Sequence, residues 1–154
     1  MIELEAGDAF VTIDPDAGGR IAQIEVGPRG DAVRLLKDDR SGGMLTWGSY
    51  PMAPWAGRVR RGTFEFDDEV HQLPINLPPH AIHGTTFEVP WEVVDAGRDY
   101  CELRCPLSWS FGGTAHQHLT LDPLGVTCML TVMAQQRAMP AVVGWHPNFA
   151  KPLQ

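Results

Sequence analysis

An all-β fold is the class this sequence predicts, and three observations carry it. Apolar and polar residues alternate with a period of two along most of the chain. Thirteen prolines and sixteen glycines punctuate those runs in turn-like clusters. The one helix candidate, Asp31 to Lys37, is short and has no clean apolar stripe. Many short strands separated by regular turn signals make an antiparallel sandwich or barrel.

The elements follow in order. Ala9 to Ile13 reads as a strand that ends at the turn Asp14-Pro15-Asp16-Ala17-Gly18-Gly19. Arg20 to Val26 returns and stops at Gly27-Pro28, which is a hairpin signal. Residues 63–66 put Phe64 and Phe66 on one face, and Asp67-Asp68 turns the chain into Glu69 to Leu73. Trp91 and Val93 are expected to share a face before the turn Asp95-Ala96-Gly97. Tyr100 to Leu107 and His116 to Leu121 are further strands, the second closed by Asp122-Pro123-Leu124-Gly125. In residues 126–133, Val126, Cys128, Leu130 and Val132 alternate with Thr127, Met129, Thr131 and Met133, as in a strand buried on both faces. Residues 47–62 and 74–90 are the longest expected loops, and long loops on a rigid sandwich tend to carry function. No internal repeat, low-complexity tract or linker interrupts what reads as one domain over residues 1–154.

Composition narrows the function classes. A net charge of -7 opposes a broad nucleic-acid footprint or attachment to an anionic membrane. No apolar run approaches the length of a bilayer span. The start, Met1-Ile2-Glu3-Leu4-Glu5, lacks the basic and apolar regions of a signal peptide, so a cytoplasmic location is expected. Three cysteines, an odd count without an export signal, argue against a disulfide framework. Cys101 and Cys105 flank Leu103 on one strand face and read as plain buried thiols.

Four constellations could carry chemistry. In Pro51 to Gly62, Trp55 can offer an apolar face to the C–H side of a sugar, and Arg58 a rigid fork of donors to hydroxyls. The plain alternative is a proline-pinned surface loop with Arg58 paired to a carboxylate. In Pro78 to Thr86, His83 precedes Gly84, which allows a ligand to approach the backbone, and His80 lies in the same loop. Each is otherwise an exposed loop histidine. His116 and His118 share a strand face and could chelate a metal with Asp122 and His146, in a faintly cupin-like way. They are equally a solvent-facing polar row, with Gln117, Leu119 and Leu121 on the opposite face. Finally, Gly144-Trp145-His146-Pro147-Asn148-Phe149 holds a histidine between an aromatic and a proline at a strand end. Such a group can give or take a proton near neutral pH.

Taken together and in this order, the motifs resemble the aldose 1-epimerase family, also called galactose mutarotases. Pro54-Trp55-Ala56-Gly57-Arg58-Val59 is similar to the family's P-x-x-N-R loop, which ends in Ile or Val. Leu73-Pro74-Ile75-Asn76-Leu77-Pro78-Pro79 resembles its L-P-x-N-x-P-P, Ile82-His83-Gly84 its L-H-G, and Pro90-Trp91-Glu92-Val93 its P-W-E-V. Met139-Pro140 with His146-Pro147-Asn148-Phe149 resembles the strand end H-P-x-F. The likeness runs from about residue 18 onward.

This resemblance implies a galactose-mutarotase-like antiparallel β-sandwich, the supersandwich. It also implies interconversion of α and β anomers of an aldohexose such as galactose or glucose. One group takes the O1 proton, another gives a proton to the ring oxygen, and the ring opens and recloses. That chemistry calls for no cofactor and no metal. By resemblance, His146 is the general acid on the ring oxygen, His83 a second histidine polarising the same region, and Arg58 the arginine that holds hydroxyls.

Some positions depart from the pattern. Gly57 stands where the family often carries asparagine, and Asn148 where many members have a bulky residue. The family's general base is a glutamate far downstream, with a hydroxyl-binding aspartate, and neither has a counterpart before Gln154. Sandwiches of this kind run to roughly 200–250 residues or more. The expectation is therefore an N-terminal half, incomplete at its C-terminus, with residues 126–133 partly exposed and the chain unstable, oligomeric or aggregation-prone. Glu88 and Glu92 are the nearby carboxylates that could replace the base. Three other readings stay open: a sugar-binding module without turnover, a sugar-phosphate epimerase, and the cupin-like metalloprotein. The oligomeric state is not fixed by sequence.

Overall fold

The first hairpin signal forms as expected. The strands β1 (Ile2–Ala6), β2 (Ala9–Asp14) and β3 (Arg20–Val26) make an antiparallel meander in the computed structural model, which describes residues 1–151. Residues 152–154 of the predicted domain lie outside the described residues. The turn between β2 and β3 is set by local chemistry. Asp14 accepts from the Ala17 amide (3.2 Å), Pro15 starts a single 3-10 turn, and Gly18 closes it at φ 81°. A Cβ at Gly18 would stand 2.0 Å from the Phe87 carbonyl oxygen, so only glycine fits there.

The short helix candidate Asp31 to Lys37 is not a helix, and one expected loop contains a strand. Within Asp31 to Lys37 the chain forms β4 (Val33–Arg34), a two-residue strand on β3. The buried Gln23 side chain binds both backbone groups of Leu36, at 2.9 and 2.8 Å, and so takes the place of helical hydrogen bonds. Inside the expected loop 47–62 lies β5 (Ser49–Met52), whose four residues are all buried. With neither face in water, it carries no alternation to read.

Two small ladders follow. β6 (Arg58–Val59) and β7 (Thr63–Phe66) come first in the chain, then β8 (Glu69–Gln72) and β9 (Ala81–Ile82). β6 pairs with β9, and β7 with β8, across the Asp67-Asp68 turn. Phe64 and Phe66 share a half-buried face and both meet Phe111.

The remaining strands are β10 (Glu92–Ala96), β11 (Tyr100–Pro106), β12 (Thr114–Asp122), β13 (Gly125–Met133) and β14 (Gly144–Pro147). One sheet has the order β1-β2-β3-β5-β14, and the second β10-β11-β12-β13. All their pairings are antiparallel. The two layers close over one core. Leu4, Val11 and Ile13 of the first sheet lie in one buried cluster with Leu103, Leu119 and Leu121 of the second.

Cys101 and Cys105 are free and buried in that core, and burial pushes both thiols up to about 11. His116 and His118 lie on the half-exposed face, as alternation requires, while Gln117 points inward. Trp91 and Val93 do not share an environment. Trp91 is buried with its indole N–H on the Thr86 carbonyl (3.0 Å), while β10 lies wholly exposed with Val93 on it and a bulge after it. β13 is exposed on one face and half-buried on the other, so residues 126–133 are partly exposed as expected.

Candidate functional site

Register brings the two motif histidines together. β14 pairs with β5 so that His146 stands directly opposite Tyr50. The rings stack, with centroids 5.0 Å apart and planes within 3°. His83 meets His146 nearly edge-on at 5.2 Å, and Phe87 and Tyr50 flank it at 6.4 and 6.0 Å. Residues separated by more than sixty positions thus form one aromatic cluster at the end of the first sheet.

The His83 loop is fixed by backbone. The His83 amide donates to the Gly57 carbonyl (2.9 Å), and the Gly57 amide donates to His83 Nδ1 (3.2 Å). With Nδ1 accepting, the neutral ring carries its proton on Nε2. His83 sits at φ 59°, an uncommon conformation held by this reciprocal pair. Gly84 follows at φ 83°, where a Cβ would lie 2.0 Å from the Ala53 carbonyl oxygen. The glycine of the I-H-G motif therefore permits close contact between the two loops.

Arg58 and Trp55 take different places. Arg58 pairs across β6–β9 with Ile82, next to His83, and its side chain is exposed. Trp55 is not part of the histidine cluster. It is buried with Leu73 and Ala81 and packs on Trp109 at 6.1 Å. It also forms one wall of a 290 Å³ cavity, with Asn76, Gly84, Thr85, Phe87 and Ser108. Larger concavities of 480 and 300 Å³ lie elsewhere, beside Gln23 and Arg34 and on the outer face of the second sheet.

Three buried polar atoms have no partner among the described residues: the Tyr50 hydroxyl, Trp55 Nε1 and His146 Nδ1. Such orphans are rare in folded proteins, and their gathering around these loops marks the region. Because His146 Nδ1 is the enclosed nitrogen, Nε2 is the one left to meet a ligand.

Electrostatics separates the groups. Burial, then His146, then Arg58, hold the His83 ring below the usual histidine range. Below an unfolded value of about 6.5, the unfolded chain therefore takes up a proton before the folded chain does. The contribution of His83 to stability is full above that pH and declines as pH falls toward the folded value. His83→Asn, which tolerates positive φ, should lose less thermal stability than wild type between pH 7 and pH 5. An identical fall in Tm for both proteins would contradict this.

Sequence reasoning missed Arg20 and Tyr50. Arg20 is fully buried and donates to the carbonyls of Ala17 (2.6 Å), Met44 (2.9 Å), Trp47 (2.9 Å) and Phe87 (3.1 Å). Its guanidinium lies over Trp47 at 4.1 Å and Tyr50 at 5.2 Å. Burial lowers Arg20 to about 10, so it stays charged at neutral pH, and burial pushes the Tyr50 hydroxyl up to about 12. Arg20 ties the base of the Tyr50–His146 stack to the loop that carries His83. One signal was available: a cation heading the apolar run Ile21 to Ile24, just after Gly18-Gly19.

Other candidates fall outside the cluster. His80 Nδ1 accepts from the Arg61 amide (3.1 Å). His118 faces Glu102 at 3.1 Å on the second sheet. Among the described residues, no three His, Cys, Asp or Glu side chains gather as a metal site, so the proposed set of His116, His118, Asp122 and His146 is not assembled. Glu92 is held by Arg104 at 2.6 Å on an exposed strand, and Glu88 is exposed.

The model of the aldose 1-epimerase family matches residues 1–152. The chain belongs to that family. Its fold is similar to a candidate aldose 1-epimerase of Escherichia coli K12, with a TM-score of 0.82 and 26% identity, covering 94% of this chain and 50% of that one. A galactose mutarotase-like protein of Clostridium acetobutylicum gives a TM-score of 0.82 at 23% identity, covering 97% and 50%. A galactose 1-epimerase of Lactobacillus acidophilus NCFM gives 0.67 at 19%, covering 86% and 43%. The fold is thus the galactose-mutarotase-like sandwich, and this family member spans about half the length of these structures. No curated protein matches the chain. No described helix is long and apolar enough to cross a membrane.

Proposed function

We propose that this chain acts on the anomeric centre of an aldohexose, with His146 and His83 as proton-handling groups and Arg58 as a hydroxyl clamp. The observation that carries the reading is the ring pair His83–His146 at 5.2 Å, beside Arg58 on the β6–β9 ladder. In this account His146 Nε2 gives a proton to the ring oxygen as the C1–O bond opens. The His83 Nε2–H hydrogen-bonds the same oxygen and steadies its developing negative charge. The O1 proton leaves to water or a buffer base, since the residues gathered here supply no carboxylate for it; the aldehyde rotates, and the reverse steps close the other anomer. Trp55 contributes from the wall of the neighbouring cavity, which lies next to Gly84. At Gly57 an added Cβ would meet nothing within 4 Å, which leaves room for a hydroxymethyl or hydroxyl where relatives place a side chain. We further propose that residues 1–154 constitute one half of the sandwich seen in the longer relatives.

Sugar binding without turnover is a second reading. It is favoured by the place of Glu92, a carboxylate considered as the base, which is held by Arg104 at 2.6 Å on an exposed strand of the second sheet rather than beside the histidines. Polarimetry on fresh α-D-glucose or α-D-galactose separates the two. The first reading expects the approach to equilibrium to quicken in proportion to protein concentration. Saturable binding with the buffer rate unchanged would select the second.

A further inference from the structure

A histidine that handles protons is ordinarily aimed through its second ring nitrogen, which binds a carboxylate or a backbone carbonyl. His146 has no such tether. Its Nδ1 is enclosed and has no partner among the described residues. The atom is closed to water, so a group arriving from elsewhere cannot reach it without moving the ring. What lies against the imidazole instead is another ring. Tyr50 stands opposite His146 on the β5–β14 ladder, and the two planes lie within 3° at a centroid distance of 5.0 Å. Opposite side chains in an antiparallel pair share a face, so register alone sets this stack before any ligand enters.

Tyr50 is held in turn from its other sides. It is wholly buried, in one apolar cluster with Met52 and Phe87. The Arg20 guanidinium lies 5.2 Å from its ring centroid, and Phe87 packs on it at 5.4 Å with a tilt of 34°. Arg20 is itself fixed by its hydrogen bonds to the carbonyls of Ala17, Met44, Trp47 and Phe87. A ring enclosed at interior packing density has no room to swing, so Tyr50 presents a rigid plate to His146. The hydroxyl adds nothing to this. It is buried without a hydrogen-bond partner among the described residues, which costs stability. The ring, not the hydroxyl, is what this position uses.

We infer that Tyr50 is the positioning residue of this site: its ring fixes the plane of the His146 imidazole and, with the Nδ1 edge enclosed, turns Nε2 outward to the sugar. The part of Tyr50 in turnover rests on the proposed reaction, whereas the ring geometry stands or falls without it.

Wild type, Tyr50→Phe and Tyr50→Leu test it in two measurements. Proton spectra without sugar read the geometry, because a stacked ring moves the carbon-bound ring protons of His146 upfield. That shift should be present in wild type, kept in Tyr50→Phe and lost in Tyr50→Leu. Polarimetry reads the consequence. Tyr50→Leu should lower kcat by up to about 10²-fold, the scale of a catalytic group misplaced by about 1 Å. KM should stay nearly unchanged, because a general acid acts in the transition state. Tyr50→Phe should restore the rate, and should raise the thermal midpoint by removing the unpaired hydroxyl. Unshifted His146 ring protons in wild type would overturn the inference, whether or not Tyr50→Leu folds. So would a Tyr50→Leu protein with the wild-type kcat. A Tyr50→Phe protein as slow as Tyr50→Leu would overturn it in favour of the hydroxyl. A wild type that shows the stack yet never quickens mutarotation would sink the proposed reaction and leave Tyr50 as the residue that aims the ring.

Discussion

If the proposed function holds, His146→Ala should abolish acceleration of mutarotation by the chain. A positioned general acid contributes typically about 10²–10⁴-fold, so the variant should fall to the rate in buffer. Alanine also removes the ring that lies flat on Tyr50. His146→Phe is the sharper variant, because it keeps an aromatic ring on Tyr50 while removing both ring nitrogens, at the cost of a slightly larger ring. Both variants should keep the wild-type circular dichroism spectrum, since His146 lies at the rim of the fold rather than in the main core cluster. A His146→Phe protein that still quickens α-D-glucose equilibration would remove His146 from the chemistry.

Arg20→Met should cost the fold about 3–5 kcal/mol. The deletion strands the carbonyls of Ala17, Met44, Trp47 and Phe87, and each buried group left unpaired costs about 1–3 kcal/mol, with partial relaxation expected. It also removes the cation between Trp47 and Tyr50. Urea unfolding followed by tryptophan fluorescence reads the loss as a lower midpoint. Because Phe87 is released, the His83 loop should loosen as well, seen as faster amide exchange at Thr86 and Phe87. A destabilisation below about 1 kcal/mol would mean that other donors satisfy these carbonyls, and that Arg20 does not anchor the site.

The strands that were legible in sequence are those with one wet face or with marked turns at their ends. β11 and β12 alternate in this way, while β2 and β3 are buried on nearly every residue at their facing ends and were legible from the Asp, Pro and Gly turns that bound them. β5 was hidden because all four of its residues are buried. β4 was hidden because it is only two residues long and is held by pairing with β3, while the neighbouring Leu36 backbone is bound by the distant Gln23 side chain. The site shows the same division. His83, His146 and Arg58 could be named from local motifs, since each sits at a strand end with a marked neighbour. Arg20 and Tyr50 could not, because their importance lies in contacts between segments that no local pattern reports. Trp55 was read as offering a face to a sugar; it is buried and lines a cavity beside Gly84 rather than the histidine cluster.

The central claim is that His83 and His146 form one sugar site. Histidine-ring 1H–15N spectra, recorded while D-galactose or D-glucose is added, test it most directly. The account predicts saturable shifts of the His83 and His146 ring signals, weakened in Arg58→Ala, with His116 and His118 on the second sheet unmoved. Shifts confined to His116 and His118, or none at saturating sugar, would contradict it.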